Sequence, residues 1–125
     1  MQILWKPSAS RTLVALALVV VIDVAALSVA MRAGVYPPLN VAPLYAPLAY
    51  VPLAMALGGL QAESPLEAAA GGALVGALVY GTFNGTELAL RDDWRTWYTP
   101  AFDLVYGTLL CAIVAAVVAR AARDS

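Results

Sequence analysis

The chain has 125 residues, of which 62% are hydrophobic and 12% charged, with a formal net charge of −1; soluble domains run at roughly 45–50% and about 25%. A mean hydropathy of +0.81 leaves too few polar side chains to coat a water-soluble globule, so most of the apolar surface must face lipid or other protein. The absence of histidine, a single cysteine (Cys111) and a single lysine (Lys6) argue against haem, zinc or copper centres, an internal disulfide and a Schiff-base chromophore within the membrane. No basic cluster offers a footprint for nucleic acid.

The first apolar stretch, about Thr12 to Met31, is flanked by Lys6, Arg11 and Arg32. It is long enough to cross a hydrocarbon core of roughly 30 Å. Ser28-Val29-Ala30 would suit a signal-peptide cleavage site, but the run exceeds a signal core of about 7–15 residues, so a retained span is expected. Asp23 falls near its centre, about 16 Å along the helix from Thr12. An acid at that depth costs about 2.5–3.5 kcal/mol on insertion scales, so it is expected to face the bundle, to be protonated or to have a partner. It then either relays protons or solutes or fixes helix packing.

A turn-forming Gly34-Val35-Tyr36-Pro37-Pro38 leads to a second stretch, about Leu39 to Leu60, with Asn40 as a plausible N-cap. Pro43 suits the first helical turn, whereas Pro47 and Pro52 each remove an interior backbone bond and are expected to kink the helix. Ser64-Pro65-Leu66-Glu67 reads as a capping box with proline at the first helical position, which opens a third span expected to run through Leu90, about 39 Å. On it, Gly72, Gly76, Tyr80 and Asn84 share one i, i+4 stripe, and Ala73, Ala77, Gly81 and Gly85 share the next. Small residues so arranged let helix backbones approach, and Asn or Thr can hydrogen-bond across the contact. Asn84-Gly85-Thr86 matches a glycosylation sequon, but its place in a span argues against modification.

The connection Arg91 to Tyr98 is charged and aromatic; Trp94, Trp97 and Tyr98, with Trp5 near the N-terminus, are expected to anchor the membrane–water boundary. Thr99-Pro100 opens a fourth span that continues to about Ala119. Asp103 sits early in it, where a carboxylate interacts favourably with helix N-terminal amides without any further role. The expected fold class is therefore all-α: a single four-span transmembrane bundle over residues 1–125, with a proline-kinked second helix. Both termini share a side, and Lys6, Arg11, Arg120 and Arg123 against Arg32, Arg91 and Arg95 place it in the cytoplasm.

If the polar residues face inward, Asp23, Asn84, Glu87 and Asp103 form an intramembrane cluster closed by Tyr80 and Tyr106 and open on the side of Arg32 and Arg91. The segments that carry it are Asp23, Tyr80-Gly81-Thr82-Phe83-Asn84-Gly85-Thr86-Glu87 and Asp103-Leu104-Val105-Tyr106-Gly107. In these the chain resembles a family of small, uncharacterised four-span membrane proteins found in bacteria and some large DNA viruses. The family's pattern has an aspartate in the first span, Tyr-Gly-Thr-aromatic-Asp-x-Thr-Asn in the third and Asp-x-x-aromatic-Gly in the fourth. Here Asn84 stands for an acid, Glu87 for an amide, and Ala26 for an aromatic residue after the first aspartate. The resemblance implies topology and a polar cluster, and no reaction.

The expected function is non-enzymatic. It is a structural or accessory subunit packed in a larger membrane assembly or a membrane-containing particle, with the lipid bilayer and other membrane proteins, or itself, as partners and no cofactor. The alternative is a small homo-oligomeric transporter or proton-conducting protein that uses Asp23 and Glu87. A lipid-active membrane enzyme has acids at hand but no nucleophile-base pair or metal motif.

Overall fold

The computed structural model describes residues 4–34, 46–90 and 98–124. In chain order these form β1 (Leu4–Trp5), α1 (Ala9–Arg32), α2 (Ala46–Gly58), β2 (Leu60–Gln61), α3 (Pro65–Leu90) and α4 (Tyr98–Asp124). Helices α1, α3 and α4 each contain a stretch long and apolar enough to cross a membrane; α2 is a shorter apolar helix. At the standard rise its 13 residues cover about 20 Å.

Local signals explain where the helices begin and end. Ser8 caps α1: its backbone is extended and its side-chain oxygen accepts the Arg11 amide at 3.4 Å, so the helix starts ahead of the apolar run at Thr12. At the other end the Gly34 amide reaches the Met31 carbonyl at 3.2 Å, with Gly34 at φ 77°, a conformation that suits a residue without Cβ. Ser64 caps α3 by accepting the Glu67 amide at 3.2 Å. The Glu67 carboxylate returns to the amide of Glu63 at 3.1 Å, one residue earlier than the Ser64 amide that a standard capping box uses.

α2 ends at Gly58, because the chain turns at Gly59 and Leu60 pairs in a strand instead of extending the helix. Pro52 lies inside α2 and Pro47 is its second residue; the earlier part of the expected second span, with Pro43, lies outside the described residues. The strand pair departs from an all-α expectation. β1 and β2 are antiparallel, with Leu4 opposite Gln61 and Trp5 opposite Leu60. The Lys6 amide adds a bond to the Gly59 carbonyl at 2.8 Å, and Trp5 Nε1 donates to the Met55 carbonyl at 3.2 Å. Arg11 donates to the Leu60 carbonyl at 3.2 Å. Together these groups satisfy carbonyls at and just beyond the α2 C-terminus, where helical partners run out and positive charge is favoured. The approach is close: a Cβ on Gly58 would meet the Thr12 backbone amide at 2.6 Å, and one on Gly59 would overlap the Trp5 indole.

The helices pack in two pairs, α1 with α2 and α3 with α4, and α1 also meets α4. The α1 contact is a row at every fourth residue, Ala15, Val19 and Asp23, all buried. α4 buries Gly107, Leu110, Cys111, Val114, Ala115 and Val118, the alternating three-and-four spacing of a helix seam. Opposite it, α3 offers Gly72 and Gly76. A Cβ on Gly72 would overlap the Cys111 carbonyl oxygen, and one on Gly76 would lie 2.5 Å from that of Gly107. Large apolar side chains cover the outside, such as Leu13, Val21 and Val29 on α1, Leu78 and Phe83 on α3, and Leu109 and Ile113 on α4. Hydroxyls on the spans return to their own helices: Ser28, Thr86 and Thr108 donate to the carbonyls of Val24, Thr82 and Leu104 at 2.7–2.8 Å. Such bonding keeps a polar group compatible with a lipid surround.

Candidate functional site

Between the two helix pairs lies a cavity of about 540 Å³, lined by residues from all four helices. Its volume is in the range of small-molecule sites, roughly 300–1,000 Å³. Asp23 is its polar centre. The carboxyl is 9% exposed and accepts from two phenols on other helices, Tyr50 Oη at Oδ2 and Tyr106 Oη at Oδ1, the latter at 3.0 Å. A carboxylate has about four lone-pair positions, and these two bonds occupy one on each oxygen.

The second polar group is Asp103, which also lines the cavity. Asn84 Nδ2 donates to Asp103 Oδ2 at 2.6 Å and to the Tyr80 carbonyl at 2.7 Å. A backbone carbonyl can only accept, so the second bond fixes the amide orientation and makes the first a donation to the acid. The Tyr80 ring meets the Tyr106 ring edge-on, with centroids 6.5 Å apart and planes at 88°, a favoured aromatic geometry. Gly107 makes this possible, because a Cβ there would overlap the Tyr80 ring. Among the described residues no buried side-chain nitrogen or oxygen lacks a hydrogen-bond partner.

The structure thus brings Asp23, Asp103, Tyr80 and Tyr106 to one cavity, with Asn84 bonded to Asp103. Glu87 is on α3, but its side chain lies outside the described residues. Arg32 does not line the cavity and Arg91 lies outside the described residues; the mouth is apolar instead, since Leu48, Phe83 and Phe102 line it and are 71%, 61% and 52% exposed. Of the small-residue positions, Gly72 and Gly76 lie at the α3–α4 seam. Gly81 makes only an ordinary contact with Leu104 at 3.6 Å, and nothing lies within 4 Å of a Cβ placed on Gly85. Trp5 covers Gly59, while Trp94, Trp97 and the side chain of Tyr98 lie outside the described residues.

Tyr50 was the residue missed by sequence reasoning. The available signal was chemical: a mid-span acid needs donors, and a phenol inside an otherwise apolar helix is one of few groups able to supply them.

A family model described as "Predicted membrane protein (DUF2177)" matches residues 37–120, and the chain belongs to that family. The matched stretch holds Tyr50, Tyr80, Asn84, Asp103 and Tyr106 but begins after α1, so Asp23 lies outside it. No curated protein and no solved structure matches the chain.

Proposed function

We propose that this member of the DUF2177 membrane-protein family is a non-enzymatic four-span protein that binds a small molecule between its helix pairs, in the manner of a small transporter. The cavity carries this reading. A helix bundle built only for packing gains contact by closing such a gap, whereas here about 540 Å³ stays open beside a buried carboxyl. Asp23 is the binding group, Tyr50 and Tyr106 hold its two oxygens, and Asn84 fixes Asp103. Four spans make a thin pathway, so transport calls for at least a homodimer.

A second reading, an accessory subunit packed in a larger membrane assembly, is favoured by the α3 surface at Gly81 and Gly85. Among the described residues that small-residue surface is left largely uncovered, and it suits another helix. One experiment reads both: extraction of the protein and of Ala26→Phe into nanodiscs, with native mass measurement of everything that travels with each. The expected result is a homo-oligomer with a small molecule bound to the wild type and displaced in Ala26→Phe, since Ala26 lines the cavity. A complex with other proteins, and no difference in small-molecule content, would overturn binding in favour of the accessory role. Transport is then read as proton or solute flux in liposomes, which Asp23→Asn is expected to abolish.

A further inference from the structure

We infer that the cavity is a site for an amphiphilic organic cation that enters sideways from the bilayer, its charged head at Asp23 and its apolar body between the helix pairs. The inference rests on the cavity being a ligand site and names the class of ligand.

Charge complementarity supplies the first argument. Both ionisable carboxyls that line the cavity, Asp23 and Asp103, are acidic, and no lysine or arginine is among the described residues that line it. Asn84 gives a proton-bearing nitrogen to Asp103, and two phenols converge on Asp23, so each acid is met by groups able to donate. An anion brought to this floor would meet two acids and no basic side chain among the described lining, whereas a cation finds a complementary group at Asp23.

The walls supply the second. Tyr80, Tyr106, Phe83 and Phe102 all line the cavity with Asp23, so a cation is offered aromatic side chains as well as the acid. A small inorganic ion would leave the rest of the volume unfilled, and the apolar mouth would oppose its entry. Leu48, Phe83 and Phe102 form that mouth, an exposed apolar rim of the kind that suits hydrocarbon. A molecule that first partitions into the bilayer meets this opening directly, and its apolar part matches the rim as its head reaches the acids.

The test uses the full chain in nanodiscs with three single-chain probes of differing charge: decyltrimethylphosphonium, decyl sulfate and decanol. Binding is measured by equilibrium dialysis against empty nanodiscs. Saturable binding of the phosphonium is expected, with decyl sulfate and decanol showing only the partitioning of empty discs. Asp23→Asn is expected to weaken phosphonium binding by at least about tenfold, the lower end of what loss of a buried charge partner produces. Asp103→Asn, on a different helix, keeps the measurement decisive if Asp23→Asn fails to fold, and is expected to weaken binding in the same direction. Ala26→Phe, which retains both acids, is expected to remove saturable binding.

Equal saturable binding of all three probes, unchanged in both Asn variants and lost in Ala26→Phe, would overturn the cation while leaving the cavity a ligand site. Saturable binding of decyl sulfate alone would overturn it likewise. An absence of saturable binding for every probe would overturn the ligand reading of the cavity together with the cation. A phosphonium site that opens only after a copurifying protein is stripped away would make the mouth a partner contact, and would also overturn the proposal.

Discussion

One stripe of α3 behaves in two ways along its length. At Gly72 and Gly76 it has no side chain, and the α4 backbone comes up against it at Cys111 and Gly107. One and two turns on, the same stripe carries Tyr80 and Asn84, and there it touches α4 through a ring and an amide at the edge of the cavity. The first half is closed by omission of atoms and the second is held by specific polar and aromatic contacts. The difference teaches that a single i, i+4 row can both zip two helices together and hold open a chamber, according to the size of the residue at each turn.

The sharpest way to break this comparison is Gly76→Leu. Its Cβ would press on backbone that cannot move aside cheaply, so overpacking of several kcal/mol is expected, beyond the usual range of about 1–3. Loss of a monodisperse peak after detergent extraction checks it. The matched Gly85→Leu meets open space and is expected to retain that peak. If the two behave alike, the seam is not where the close approach lies.

Asn84→Leu attacks the other half of the row by removing the amide from Asp103. The same amide also bonds the Tyr80 carbonyl, so two bonds are lost together, and a fall in stability in nanodiscs of about 1–2 kcal/mol is expected. Smaller still are Tyr50→Phe and Tyr106→Phe, each removing one donor from Asp23. Interhelical bonds in membranes average about 0.6 kcal/mol and reach about 1.7. The double variant tests whether the phenols act together, since Asp23 then loses both of these donors; a loss greater than the sum of the two single effects is expected. Gly85→Ala sharpens the comparison from the opposite direction, with a gain of up to about 1 kcal/mol from helix propensity on an open face.

Much of the helical frame was legible because its signals are local. The Ser64-Pro65 start of α3 needs only its neighbours, and long apolar runs mark α1 and α4 by composition alone. That Asp23, Asp103, Tyr80 and Tyr106 turn toward one space was also accessible, since acids and phenols within spans are costly to leave toward lipid. Tyr50 was harder, because its role depends on how far along α2 it falls opposite α1, and a proline-rich sequence leaves that register open. Which of two adjacent small-residue stripes faces α4 was likewise undetermined: Gly76 and Gly81 look equivalent in sequence, and only packing distinguishes the tight position from the loose one. The pairing of Leu4–Trp5 with Leu60–Gln61 carries no periodic signal at all, since two-residue strands are too short to show alternation.

That short pairing bears on how the protein is made. By joining Leu4–Trp5 to Leu60–Gln61, with Trp5 seated on Gly59, it ties the two ends of the α1–α2 segment into a ring. A ribosome delivers this ring in full before α3 has emerged, and the first half of the protein can therefore latch as a unit during insertion. An α1–α2 segment fastened in this way would offer the later helices a fixed surface to dock against.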